Sequence, residues 1–338
     1  MLGQKGKENR EEFIVVKKND SEQIYIKPGE EFFSDVVEWD IKAGTEIVLS
    51  VYMKEKNTIQ SACSSLSAKN WNTIYYKGEC CSKEQSIEKM TSLEVFPKLH
   101  RYPDPNTILV GVKEIQIYST ERAKQIVLFG DSIIHMSFFS DALMEQLYKE
   151  RTGKVTILNC GISGNRILHG PAYATHIPGK GSIYGASVLE RFEKDCFECG
   201  VPEYIIFLEG TNDMIFPEWF EQPGESITAE ELAQAVTKMI AIAHKKGSKF
   251  LIGTIMPYQE PGSPVCPQGE KIRKEFNIWI RNQKLADGIL DFDRILADKN
   301  NPSSLKGGVH IGDWIHPNNE GGRLMAQEVL SHVKDFWN

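Results

Sequence analysis

The stretch Gln125-Ile126-Val127-Leu128-Phe129-Gly130-Asp131-Ser132-Ile133-Ile134 decides how this chain folds. A continuous apolar run closed by a glycine reads as a strand covered on both faces, because a strand with one wet face alternates. A Gly-Asp-Ser turn then leads into a helical pattern. Four further runs of the same kind follow at Val155–Asn159, Tyr204–Leu208, Phe250–Ile255 and Gly288–Phe292. Helical stretches lie between them. The clearest begins at Thr228-Ala229-Glu230-Glu231, a capping box with Thr228 as N-cap and Glu231 at N3, flanked by the hydrophobic staple Ile227 and Leu232. Leu232, Val236, Met239, Ile240 and Ala243 make one apolar stripe, and Gly247 terminates it. Strands alternating with helices predict a three-layer α/β/α domain over residues 122–338, built on a doubly wound, parallel, five-stranded sheet of flavodoxin-like type.

Upstream the grammar differs. Phe13–Lys17, Gln23–Lys27, Phe32–Trp39, Glu46–Met53 and Val112–Tyr118 are short, β-branched or aromatic runs separated by turns such as Lys27-Pro28-Gly29. Residues 1–121 are therefore expected to form an all-β sandwich or jelly-roll domain, with the polar segment from Lys54 to Thr91 as a long connection.

The 338 residues are 41% hydrophobic and 25% charged, ordinary globular values. A net charge of -7 without a basic run disfavours nucleic acid or an anionic membrane as partner. No apolar stretch is long enough to span a bilayer. The first residues lack the apolar region of a secretory signal, so the chain as it stands reads as cytoplasmic; a longer natural chain with a leader would be secreted. Seven cysteines, an odd count, do not form a disulfide framework. Cys196-Phe197-Glu198-Cys199 is an isolated CxxC whose only potential partners are Cys80 and Cys81, and free thiols are expected instead of a metal site.

In such sheets ligands sit at the carboxyl ends of the strands, and four candidates stand there. Ser132 follows the first strand on a tight turn; it reads as a nucleophile or as a plain helix cap. Asn159-Cys160-Gly161-Ile162-Ser163-Gly164-Asn165 follows the second, a turn able to aim backbone N–H groups at a ligand. Glu209-Gly210-Thr211-Asn212-Asp213 follows the third, and Asp313-Trp314-Ile315-His316-Pro317-Asn318 precedes the last helix. Each is ambiguous alone. Together they supply a nucleophile, a base three residues from an orienting carboxylate, and oxyanion donors.

These four blocks, in this order, resemble the SGNH/GDSL hydrolases, and the likeness covers residues 123–336. It extends to a subgroup with a β-rich front half, on Ser34-Asp35, Ala43-Gly44-Thr45 through Ser50-Val51-Tyr52, Leu189-Glu190-Arg191-Phe192, Asn277-x-Trp279-Ile280-Arg281 and Asp291-Phe292-Asp293. The resemblance implies Ser132 as nucleophile, His316 as general base and Asp313 as its orienting acid. It implies an oxyanion hole from the Ser132 and Gly164 N–H groups and the Asn212 carboxamide, and neither metal nor cofactor. The chain departs from the subgroup after the nucleophile, where Ile134-His135-Met136 replaces Thr-Asp-Gly, and its front half is shorter.

The resulting expectation is a serine esterase that removes a small acyl group, acetyl first, from a carbohydrate. The alternatives are a short-chain esterase or lysophospholipase, and a catalytically weak glycan-binding protein. Substrate contacts are expected from Arg166, Asp213, Trp219 and Trp314, with Arg166 equally readable as an ion-pair partner. The segment from Arg166 to Tyr184, with His169 and His176, is a candidate binding loop. His244 sits near a helix C-terminus and needs no functional reading. Gly179-Lys180-Gly181-Ser182 lacks P-loop spacing. Oligomeric state is not legible in the sequence.

Overall fold

The structure, a computed structural model, describes residues 1–5, 13–55, 62–67, 69–77, 88–95, 107–171, 184–262 and 265–333. Cys80, Cys81, His176 and the glycine turn at 179–182 lie outside the described residues. The chain divides into two compact units, Met1–Tyr118 and Ser119–Asn338.

Among the described residues the first unit carries six strands of three residues: β1 (Leu2–Gln4), β2 (Ile47–Leu49), β3 (Cys63–Ser65), β4 (Tyr75–Lys77), β5 (Glu88–Met90) and β6 (Thr107–Leu109), with one helical turn, α1 (Ser92–Val95). They pair antiparallel as β1 with β2, β3 with β6 and β4 with β5. Among the described residues the unit is β-rich, and its short antiparallel strands form separate two-stranded sheets. The expected strand Glu46–Met53 contracts to β2, Phe13–Lys17 contributes only a bridge from Ile14 to Leu2, and Gln23–Lys27, Phe32–Trp39 and Val112–Tyr118 join no ladder. The reason is that alternation marks a strand only when another edge accepts its N–H and C=O groups. Tyr25, Phe33, Val36 and Tyr118 remain largely exposed.

The second unit begins with β7 (Lys124–Gly130), whose last five residues are buried. The chain continues through α2 (Ser132–His135), α3 (Phe138–Arg151), β8 (Val155–Gly161), α4 (Val188–Phe197), β9 (Tyr204–Leu208), α5 (Thr211–Trp219), a 3-10 turn at Pro223–Glu225, and α6 (Ala229–Lys246). It ends with β10 (Lys249–Gly253), α7 (Pro267–Asn282), β11 (Gly288–Leu290), α8 (Phe292–Leu296) and α9 (Asn319–His332). The sheet order is β11-β10-β9-β7-β8, all parallel, with Gly130 opposite Gly161 and Leu208 at the strand ends. This is the expected doubly wound sheet. Strand β7 lies inside the sheet, between β8 and β9, so the chain reverses direction across the sheet at β7, and that is where ligands of such sheets bind.

Helices α3 and α9 pack on one another on one side of the sheet, and α4, α6 and α7 cluster on the other. Phe129, Phe192, Phe207 and Phe250 interlock in the core, with centroids 5.4 Å apart for Phe129–Phe192 and 5.5 Å for Phe207–Phe250. The capping box of α6 forms as read: Thr228 Oγ1 accepts from Glu231 N at 3.2 Å, and Thr228 N donates to Glu231 Oε2 at 2.8 Å. Strand ends shift for local reasons. The expected strand to Phe292 stops at Leu290 because Asp291 caps α8. The edge strand β8 is only half-buried, where both faces were expected to be covered. Among the described residues no helix is long and apolar enough to cross a membrane.

Candidate active site

Strand β7 delivers Ser132 into the mouth of the sheet. At Gly130 a Cβ would lie 2.1 Å from the Leu208 carbonyl oxygen, so only glycine lets β7 and β9 approach this closely at the turn. Asp131 caps the short helix α2 by accepting from Ile133 N at 2.9 Å. The Ser132 hydroxyl then meets His316 Nε2 at 2.7 Å, across 184 residues of sequence. His316 Nδ1 lies 2.5 Å from Asp313 Oδ2. The other Asp313 oxygen accepts from Ile315 N and His316 N, both at 3.0 Å. Burial pushes the Asp313 carboxyl upward, but the hydrogen bonds from His316 and from the backbone outweigh it and hold the group below its ordinary value.

The loop bearing this pair is pinned from both sides. Asn318 caps α9 by accepting from Glu320 N and Gly321 N, while its Nδ2 donates to the Gly308 and His310 carbonyls at 3.0 Å each. His310 Nδ1 accepts from Gly312 N and Trp314 N at 3.1 and 3.3 Å, and its ring lies 4.4 Å from the Trp314 ring. Trp314 occupies left-handed backbone at φ 61°, costly for a bulky residue, which these bonds help to hold.

Beside the turn after β7 lies the turn after β8, where Ile162 N donates to the Gly130 carbonyl at 3.0 Å. Gly164 has φ +76°, and a Cβ there would fall 2.1 Å from the Tyr184 ring, so the position excludes every side chain on two grounds. Asn212, at the start of α5, donates from Nδ2 to the Asn165 carbonyl at 3.0 Å and lies 3.4 Å from Asp131 Oδ2. The turn after β8 is thereby tied to the turn after β9.

Three acids are buried beneath these groups. Burial lifts Asp131 to about 6 against the Ile133 N–H. It lifts Asp213 to about 6 against the N–H groups of Ile167 and Leu168, which donate at 2.7 and 3.1 Å. Glu209 is pushed well above the carboxylate range, by burial first and by Asp131 next. Neither Glu209 carboxyl oxygen has a hydrogen-bond partner among the described residues. A carboxyl whose folded value is raised binds its proton more tightly in the native state, so stability falls as pH rises above the unfolded value. Glu209→Gln should therefore flatten the loss of stability between roughly pH 5 and 7, measured as denaturation midpoints across that range. A pH slope equal to that of the unsubstituted protein would reject this reading of Glu209.

The remaining candidates are distributed differently. Arg166 is 1% exposed, paired with Glu225 at 2.5 Å and donating to the Gly170 carbonyl at 2.9 Å. Asp213 is fully buried on the Ile167 and Leu168 N–H groups. Both side chains bond to the loop's own frame, as a buried charge requires, while Arg166 Nε has no hydrogen-bond partner among the described residues. Trp219 is half-exposed at the end of α5 and stacks on Phe216. His244 pairs with Asp287 at 2.8 Å. Cys196 is buried and Cys199 partly so, both as free thiols, and no cluster of three metal-ligating residues occurs among the described residues.

Sequence reasoning gave no role to His135, whose Nδ1 lies 2.6 Å from Ser163 Oγ, nor to Arg191, Asn165 and His310. Their partners are distant along the chain or are backbone atoms, and neither leaves a spacing pattern.

No curated protein matches the chain. Solved structures similar to it include an acetyl xylan esterase, 22% identical over 62% of this chain and 99% of the other, at a TM-score of 0.46. An acetylxylan esterase from Geobacillus stearothermophilus is 14% identical over 62% and 94%, at 0.45. An alpha/beta hydrolase enzyme from the metagenome of Lake Arreo, Spain, is 18% identical over 63% and 97%, also at 0.45. Residues 128–324, from inside β7 into α9, match a family model that takes in all four strand-end blocks. On that match the chain belongs to the GDSL-like lipase/acylhydrolase family.

Proposed function

We propose that the protein is a serine ester hydrolase that works through an acyl-enzyme and removes a small acyl group, acetyl first, from a carbohydrate. The observation that carries the reaction is the unbroken chain Ser132 Oγ, His316, Asp313 at the carboxyl end of the sheet. Ser132 Oγ attacks the ester carbonyl while its proton passes to His316 Nε2, and Asp313 stabilises the imidazolium. The oxyanion is held by the Ser132 and Gly164 N–H groups and by Asn212 Nδ2. His316 returns the proton to the departing alcohol, and water, activated by the same imidazole, releases the acid.

The substrate reading rests on the residue types in the blocks that carry the nucleophile, the oxyanion donors and the base. His135, Ser163, Asn212 and Trp314 are polar or aromatic, the chemistry that receives sugar hydroxyls and faces, and a long acyl chain would need an apolar trough instead. Acetylated oligosaccharides, with released acetate and products followed by mass spectrometry, should be turned over in preference to a chain-length series of simple esters. Preference for long acyl chains would favour a lysophospholipase. Glycan binding without labelling of Ser132 by a fluorophosphonate would reject the enzyme. Asn212→Ala should cost on the order of 10²–10³ in kcat with the fold intact, since one oxyanion donor is lost. An unchanged kcat would remove Asn212 from the hole.

A further inference from the structure

Arg191 of α4 lies behind the site, 7% exposed, and three of its hydrogen bonds reach the ends of β7 and β8 and the turn after β8. Nη2 donates to the Gly130 carbonyl at 2.9 Å, at the end of β7, one peptide before Asp131-Ser132. Nη1 donates to the Cys160 carbonyl at 2.8 Å, near the end of β8, and to Asp195 Oδ2 at 2.9 Å. Nε donates to Asn165 Oδ1 at 2.8 Å. Asn165 is the residue after Gly164; its Nδ2 donates to the Tyr184 and Ala186 carbonyls at 2.7 Å each, and its own carbonyl accepts from Asn212. The guanidinium plane is braced from behind by the Phe129 ring, 4.0 Å from its centre.

We infer that Arg191 is the positioning residue of the oxyanion hole, a single guanidinium that fixes the supports of all three donors. Through Gly130 it sets the turn that presents the Ser132 N–H. Through Asn165 it sets the neighbouring Gly164 N–H, and through the Asn165 carbonyl it fixes the rotation of the Asn212 carboxamide. Oxyanion donors act only when aimed in advance at the place where charge develops, so an error in their supports appears in kcat. A guanidinium is needed because its donors diverge in one plane; the compact ammonium of lysine cannot meet Gly130, Cys160 and Asn165 together. Arg191 touches no reacting atom in this scheme.

The inference rests on the proposed esterase reading and is tested on the full chain with 4-nitrophenyl acetate. Arg191→Gln should lower kcat on the order of 10²-fold, and Arg191→Lys roughly tenfold, at nearly unchanged KM. On an Asn212→Ala background the same substitutions should cost less, because one of the three donors they misplace is already gone. Millimolar guanidinium should restore part of the lost kcat to Arg191→Gln. If Arg191→Gln does not fold, Arg191→Lys, which keeps the buried charge, carries the measurement together with the double variant. A lowered Tm with wild-type kcat would make Arg191 a stability staple and overturn the inference. A risen KM at constant kcat, or fully multiplicative losses with Asn212→Ala, would do the same. Fluorophosphonate labelling of Ser132 in the unsubstituted protein separates the two ideas: its absence sinks the esterase, whereas labelling with indifferent Arg191 variants sinks only the role of Arg191.

Discussion

Ser132→Ala should leave a folded protein whose ester turnover has fallen on the order of 10⁶-fold, because every later step depends on the acyl group that Ser132 accepts. The fold should survive because the lost group is one hydroxyl. Its partner, His316 Nε2, belongs to a side chain that keeps 13% of its surface and can turn to water. The mass of the protein after fluorophosphonate treatment reports the same residue independently, with the adduct expected on unsubstituted protein and absent from the variant. Turnover of a short aryl ester at the unsubstituted rate by Ser132→Ala would end the proposed mechanism.

Asp313→Asn is the second large effect, and the geometry fixes its sign. One carboxylate oxygen accepts two backbone N–H groups, from Ile315 and His316, so the carboxamide must turn its carbonyl oxygen towards them. Its NH2 then faces His316 Nδ1. The ring must accept at Nδ1 and carry its proton on Nε2, and in that tautomer it cannot take the proton of Ser132. A loss on the order of 10⁴ in kcat follows, with little change in stability. The measurement is kcat together with the rate of fluorophosphonate labelling, and both should fall in parallel. A loss of only a few-fold would mean that the loop orients His316 without its acid.

The parallel sheet was readable because burial on both faces of β7, β9 and β10 requires uninterrupted apolar runs, which survive in sequence as contiguous letters. Helix α6 was readable for a similar reason, since cap, staple and stripe all lie within a single window. The front unit was legible only as β-rich, not in which segments pair. Its runs alternate as strands do, yet pairing is a property of two segments, and Phe33, Val36 and Tyr118 carry the pattern without a ladder. The same distinction runs through the site. Ser132, Gly164, Asn212, Asp313 and His316 stood out because each sits in a short block at a strand end. Arg166 and Asp213 looked suitable for substrate by residue type alone, and only the packed structure buries them, Arg166 against Glu225 and Asp213 on the Ile167 and Leu168 N–H groups.

What sequence alone determined is therefore local chemistry: which residue types stand at each strand mouth, which acid can reach which imidazole three positions away, and which segments must be covered on both faces. The tertiary structure decided which of those groups meet. It brought His316 to Ser132 across 184 residues and set Arg191 against Gly130, Cys160 and Asn165. It also closed three acids beneath the site, where burial shifts their protonation. The physical reason is range. Hydrophobic periodicity and capping act over one or two turns of chain, whereas hydrogen bonding and desolvation depend on distances in space that only the packed sheet defines.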